Sequence, residues 1–148
     1  MSLGTTSVLF HVPARGILRR KLRYFARQLQ VYVVRDLPFT CLVTDDKELR
    51  ALNKQFLKKD YPTDVLAFPS YGPDGSIGDV AISWDRVKAQ AAEYGHTADQ
   101  EIRILMLHGV LHLAGMDHWK DRGQMAESEI YWRKRLKLPT SVIERVRS

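Results

Sequence analysis

The sequence contains a single cysteine, Cys41, among its 148 residues. One cysteine cannot form an intrachain disulfide framework, and its scarcity fits a reducing compartment. The sequence also lacks an apolar run long enough to span a bilayer, and its first residues do not have the charged start and apolar core of a secretory signal. We therefore expect a cytoplasmic protein without a membrane partner, with Cys41 buried in a strand rather than reactive.

Acidic residues are absent from positions 1–35, which hold seven Arg or Lys residues. The other 16 basic and 17 acidic residues nearly cancel, so the formal charge of +6 originates in this N-terminal segment. A basic surface raises the local concentration of polyanions and speeds encounter with them. Charge alone, however, favours the simpler interpretation of a solvated helix face.

The apolar fraction of 45% and the charged fraction of 27% are ordinary for a globular protein. The length suits one domain with one core, and no repeat, low-complexity tract or linker divides the chain. We therefore expect a single domain over residues 1–148. Strand-like and helix-like segments alternate, which leaves the sheet open between parallel and mixed.

Hydrophobic periodicity and turn residues predict four strands and five helices. The strands are predicted over 5–12, 39–44, 65–68 and 79–83, and the helices over 15–31, 46–57, 84–94, 98–113 and 121–138. Helix 15–31 has one apolar stripe for the core, and its basic side is the face that we expect to meet polyanions. Helix 98–113 follows a capping box formed by Thr97 and Gln100, and it is apolar nearly all round, so it should be buried.

Three of the five histidines, His108, His112 and His118, lie within eleven residues, at the spacing H-x3-H-x2-G-x2-H. Residues four apart on a helix share a face, so His108 and His112 can bind one ion. Gly115 stands where a helix end favours a left-handed residue, which allows the chain to turn His118 back. Three imidazoles leave a position open for water, as in catalytic zinc sites. We predict one Zn²⁺ per chain, with Ni²⁺ or another transition ion also compatible.

The same spacing occurs in metzincin metalloproteases, where the residue after the first histidine is the glutamate that acts as general base. Gly109 occupies that position here. The pattern therefore keeps a metal site but lacks the base for peptide hydrolysis, and a metalloprotease is the less favoured interpretation.

The segment 108–118 (HGVLHLAGMDH) resembles the signature of the YbeY family of endoribonucleases, with Met116 where an aromatic residue is usual. Segments 52–69 and 78–83 resemble two further blocks of that family. The resemblance implies an α+β fold, a small, mostly mixed β-sheet with about five surrounding helices and a central buried His-bearing helix. It also implies a metal-dependent, single-strand-specific endoribonuclease that acts on RNA rather than DNA. The implied process is maturation of the small-subunit ribosomal RNA 3′ end and ribosome quality control, with the ribosomal small subunit as partner.

One position departs from the family pattern. The arginine to which the resemblance assigns contact with the RNA phosphate or the transition state aligns with Leu57. We expect that role to pass to Lys58 or Lys59, although a lysine lacks the bidentate fork of arginine. The departure keeps open the alternative of a non-catalytic, ribosome-associated RNA-binding factor.

The sequence does not identify a general base. Asp117, next to the last histidine, could orient an imidazole through its second nitrogen, or it could simply form a turn. Asp64 and Asp79 lie near the family blocks, and the sequence does not indicate whether either faces the metal.

Overall fold

The protein is described by a computed structural model that covers residues 4–60, 63–71, 73, 75–117 and 120–147. This part of the chain contains one sheet with the strand order β1-β2-β4-β3, formed by β1 (Ser7–Phe10), β2 (Thr40–Thr44), β3 (Val65–Pro69) and β4 (Gly78–Ser83). The first three strands in that order run parallel, and β3 is antiparallel to β4. The sheet is therefore mixed, which confirms the predicted α+β class.

Six α-helices surround or cross this sheet within the described residues. They are α1 (Arg19–Gln28), α2 (Asp46–Leu57), α3 (Trp84–Tyr94), α4 (Ala98–Leu113), α5 (Gln124–Arg135) and α6 (Val142–Arg147). None of them is both long and apolar enough to cross a membrane.

Helix α4 lies at the centre of the fold, as predicted. Eleven of its residues are buried, and the helix packs against β3 and β4 as well as α1, α3, α5 and α6. Strand residues alternate between the two faces of a sheet. Val80 and Ile82 of β4 accordingly join the core around α4, whereas Ala81 joins a smaller cluster under α2.

Local signals explain the elements whose bounds were predicted well. Asp45 caps α2, because its carboxylate accepts the Glu48 N–H at 2.9 Å. Thr97 and Gln100 form the predicted capping box at the start of α4. Cys41 is fully buried in β2, as expected, and burial raises the pKa of its thiol to about 12.

The first and last predicted helices, over 15–31 and 121–138, differ from their predicted bounds. Helix α1 begins only at Arg19, because Gly16 has a positive φ of 92° and Leu18, with a ψ of 100°, is extended, so a right-handed helix includes neither. It continues into a π-helical turn over Leu29–Val33. The helix predicted over 121–138 is limited to α5, and α6 was not predicted at all.

Candidate metal centre

Two histidines meet at the C-terminal end of α4. The Nε2 atoms of His108 and His112 are 3.2 Å apart, and the two rings are nearly perpendicular, at 78°. Two nitrogens that bind one zinc ion tetrahedrally at about 2.0–2.1 Å are themselves about 3.3 Å apart. The pair therefore already has the spacing that a shared ion requires.

The chain turns immediately after this pair. Gly115 has a φ of 89°, its N–H donates to the His112 carbonyl at 3.0 Å, and the Met116 N–H donates to the Leu111 carbonyl at 3.1 Å. This is the double hydrogen bond of a Schellman motif, so the predicted left-handed bend at Gly115 is confirmed.

The third predicted ligand, His118, lies outside the described residues. Within those residues, no group of three His, Cys, Asp or Glu side chains is placed to hold a metal ion. The three-histidine site therefore stays a prediction, supported by the geometry of its first two members.

A buried carboxylate holds the outer nitrogen of His108. Glu129 of α5 is fully buried, and its Oε2 lies 2.9 Å from His108 Nδ1. An ionised carboxylate can only accept, so Nδ1 donates the proton and the lone pair of Nε2 is left to face His112. Outer partners of this kind fix the tautomer and ring orientation of metal-binding histidines.

Sequence reasoning missed Glu129, because it lies 21 residues from His108 and belongs to another helix. The sequence nevertheless contained a partial signal. Glu129 follows Met125 by four residues, which places an acidic residue on the same helix face as an apolar one, and the structure shows that both are fully buried. Acidic side chains are almost never fully buried unless they are paired.

The histidine pair opens into a cleft of about 670 Å³. Its walls come from the end of α4, strand β3, the end of α2 and the first residue of α6, Val142. Lys59 and Lys120 supply positive charge to the lining, and Asp64 and Asp117 supply negative charge. The cleft thus combines a candidate metal site with side chains that can contact a polyanion.

The predicted alternatives to the missing arginine occupy different places. Lys59 lines the cleft, whereas Lys58 ends α2 in a left-handed conformation with a φ of 58°. Leu57 also lines the cleft and is 42% exposed, so an apolar side chain stands at the arginine position of the family. Asn53, one turn earlier on α2, lines the cleft and is almost fully buried.

The acidic candidates also separate. Asp64 lines the cleft, and its carboxylate accepts the Val65 N–H at 2.8 Å. Asp117 also lines the cleft, and its carbonyl accepts from the N–H groups of Lys120 and Asp121. Asp79 instead lines a second, apolar cavity beside α2, where burial raises the pKa of its carboxyl.

Gly109 faces the sheet rather than the cleft. A Cβ atom at this position would lie 2.7 Å from Val80 Cγ1 and 3.2 Å from Val65 Cγ2, closer than packed carbons allow. A glutamate there would collide with the two valines before it could serve a metal ion. The packing of α4 therefore explains why a glycine suits the position that carries the general base in metalloproteases.

Comparison with known proteins gives one consistent result. Residues 13–137 match the family described as "Endoribonuclease YbeY". The curated "Endoribonuclease YbeY" of Solibacter usitatus (strain Ellin6076) is 56% identical over 143 residues, which cover 97% of this chain and 96% of that protein. The protein of the same name from Aquifex aeolicus (strain VF5) is 39% identical over 117 residues, or 76% of this chain and 78% of its own.

A solved structure is similar as well. The solution structure of TM1509 from Thermotoga maritima matches with a TM-score of 0.60 and 25% sequence identity. The match covers 90% of this chain and 94% of that chain.

Proposed function

Because the chain belongs to the YbeY family of endoribonucleases, we propose that it is a metal-dependent enzyme that cleaves single-stranded RNA at the α4 cleft. The proposal extends to its substrate and process, which are ribosomal RNA, maturation of the small-subunit 3′ end and ribosome quality control. The observation that carries it is the 3.2 Å approach of His108 Nε2 to His112 Nε2 in a cleft that two lysines, Lys59 and Lys120, also line.

The donor set suits a borderline transition ion such as Zn²⁺, with Ni²⁺ as an alternative, because neutral imidazole nitrogens are common ligands for both. His108 and His112 would hold the ion, with His118 as the proposed third ligand. A bound ion would supply Lewis-acid polarisation of the phosphodiester and activation of water.

The side chains of the cleft have separate tasks in this proposal. Lys59 and Lys120 attract and orient the RNA backbone as point charges. Asp64 and Asp117 are the acidic groups of the lining that can accept or return a proton. Leu57 contributes no charge, so we expect weaker phosphate binding than an arginine at that position would give.

The basic N-terminal segment adds a second, remote contact. All seven Arg and Lys residues between Arg15 and Arg35 are exposed, while Leu22 and Phe25 of α1 face the core. Helix α1 packs on β1, at the opposite edge of the sheet from β3 and the cleft. We propose that this face holds a length of RNA beyond the reacting phosphate, since clustered arginines bind phosphates without sequence preference.

The decisive experiment compares two histidine variants. His112→Ala should abolish cleavage of a fluorescent single-stranded RNA and lower the zinc content measured by elemental analysis. His11→Ala is the matched control, because His11 is exposed and pairs with Glu48 outside the cleft. Equal cleavage by wild type and His112→Ala would overturn the proposal.

Leu57 supports a second candidate, a non-catalytic factor that binds RNA on the ribosome. For such a factor, His112→Ala should still associate with the small subunit and restore normal ribosomal RNA ends in cells that lack the wild-type protein. For the enzyme, the same variant should bind the subunit but leave the ends unprocessed.

A further inference from the structure

Helix α6 contacts the candidate metal centre although it lies beyond residues 13–137, the part that matches the family. Val142 lines the cleft, and the Ile143 N–H donates to Glu129 Oε1 at 3.3 Å. The other oxygen of the same carboxylate holds His108 Nδ1. One buried carboxylate therefore joins the helix to a predicted metal ligand.

We propose that α6 is required for metal binding. Its main-chain N–H binds one oxygen of Glu129, so that the other oxygen holds His108 in the orientation and tautomer that bind the ion. This inference rests on the proposed metal site. It makes Glu129 a positioning residue and the main-chain N–H of residue 143 its anchor.

The argument begins with the burial of Glu129. A fully buried carboxylate needs a donor for each oxygen, because a charged oxygen without one destabilises the fold by the full free energy of its desolvation. In the structure, Oε2 has the His108 imidazole and Oε1 has the Ile143 N–H. Two donors on opposite oxygens fix the plane of the carboxylate and thereby the place of Oε2.

The second step concerns the imidazole. With Nδ1 bound to Glu129, the His108 ring cannot turn about its side-chain bonds without breaking that hydrogen bond. Nε2 is thus held 3.2 Å from His112 Nε2. Loss of such an outer partner typically lowers metal affinity about 10- to 100-fold.

Glu129→Gln tests the carboxylate. A glutamine has one oxygen for two N–H donors, and its amide group, if turned towards His108, donates to Nδ1 and moves the ring proton to Nε2. We expect zinc affinity, measured on the full chain by competition with a chromophoric chelator, to fall about 10- to 100-fold. Nitrogen-15 NMR of the zinc-free chain should show the His108 proton on Nδ1 in the wild type and a changed distribution in the variant.

The matched control is Glu101→Gln. Glu101 is equally buried, bonds His96 and pairs with Arg145 of α6, but these residues are not part of the cleft lining. Its zinc affinity should stay within about 3-fold of wild type, because the ion pair of Arg133 with Glu144 still holds α6 and the hydrogen bond of Glu129 with His108 is unchanged. An equal loss in both variants would mean a general effect of destabilisation and would overturn the inference.

The role of α6 itself can be tested without changing any side chain. Replacing the amide of Ile143 by an ester, through the α-hydroxy analogue of isoleucine, removes the N–H that donates to Glu129 and weakens the Val142 carbonyl as an acceptor. The matched ester at Val142 weakens the Ser141 carbonyl in the same way but keeps the Ile143 N–H. Zinc affinity should therefore fall by at least about 3-fold more in the Ile143 ester than in the Val142 ester. Unchanged affinity in the Ile143 ester would overturn the inference.

Failure of the proposed function has a different signature. A wild-type chain that binds no zinc would overturn both the metal site and this inference. A chain that binds zinc but does not cleave RNA would overturn the proposed function alone, and the affinities of the variants would still decide the role of α6.

Discussion

A buried carboxylate that pairs with a histidine and with α6 lies near each end of α4, one on α4 itself and the other on α5. Near the N-terminal end, Glu101 binds His96 Nε2 at 2.6 Å and the guanidinium of Arg145. Near the C-terminal end, Glu129 binds His108 Nδ1 and the Ile143 N–H. Both carboxylates are fully buried, so the difference lies in their partners.

The partners of Glu101 are side chains that stay inside the fold. Burial raises the pKa of Glu101, but the hydrogen bonds from Arg145, His96 and Gln90 outweigh it and hold the pKa below its ordinary value. Arg145 also stacks on the ring of Tyr94, 4.2 Å from its centroid. These contacts link the N-terminal end of α4 to α3 and α6.

His108, the side-chain partner of Glu129, lines the cleft instead. His108 uses one nitrogen for the carboxylate and presents the other to His112 and the cleft. The same pair of a carboxylate and an imidazole therefore has two uses. Where an arginine also binds the carboxylate, as at Glu101, the pair links helices. Where the second imidazole nitrogen points to the cleft, as at His108, the pair orients a ligand. Mutations at the two ends should therefore separate stability from metal binding.

The largest expected effect is at Arg145. Arg145→Met leaves Glu101 as a buried charge without its guanidinium, which should lower the free energy of unfolding by about 3–5 kcal/mol. Urea denaturation followed by circular dichroism measures this loss. The double variant Arg145→Met/Glu101→Gln should recover part of it, and a double variant less stable than Arg145→Met would contradict the assignment of the loss to an uncompensated charge.

Zinc should stabilise the fold only through the C-terminal end. At a free concentration 100 times its dissociation constant, a single bound ion adds about 2.7 kcal/mol to the free energy of unfolding. We expect this increment in the wild type and in His96→Leu, although the latter is less stable, and none in His112→Leu. Thermal or urea unfolding with and without zinc makes the comparison, and an intact increment in His112→Leu would place the ion elsewhere.

At the cleft, Leu57→Arg should raise activity without a comparable change in stability. A charge-assisted hydrogen bond to phosphate contributes about 1.5–3 kcal/mol, or roughly 10- to 160-fold in cleavage rate. Leu57→Met is the control, since it keeps an apolar side chain of similar volume. Cleavage rates of a single-stranded RNA that rise equally in both variants would show that charge is not the missing element.

The smallest expected effect is on how the free energy of unfolding depends on pH. Because the pKa of Glu101 is lowered in the folded state, the unfolded chain binds its proton at higher pH, and stability is lost as pH falls from the unfolded value towards the folded one. Glu101→Gln removes this proton uptake, so its free energy of unfolding should depend less steeply on pH as the pH falls below 4.5, the ordinary pKa of a glutamate. Equal slopes in the variant and the wild type would contradict the sign of the shift.

Local rules predicted much of the central helix and its site. The bounds of α4, its capping box, the shared face of His108 and His112 and the bend at Gly115 all follow from residues within one or two turns of each other. The positions of Asp117 and Lys59 at the cleft also agree with their selection from the sequence, although their roles stay predictions.

The features that could not be predicted depend on contacts between distant elements. Glu129 reaches His108 only because α5 packs beside α4, and α6 is a helix of six residues without a long apolar pattern. The neighbours of Gly109 depend on how closely, and with which face, α4 packs against β3 and β4. Periodicity identifies a buried face, but it does not identify the neighbour that covers it.

The closeness of Gly109 to Val80 and Val65 also limits what the motif could become. In the linear sequence, replacing Gly109 by glutamate would complete the peptidase pattern. In three dimensions, the Cβ atom of that glutamate would lie 2.7 Å from Val80 Cγ1, so α4 or β4 would have to shift to accommodate it. A sequence motif therefore has to be judged together with the neighbouring element that its variable position faces.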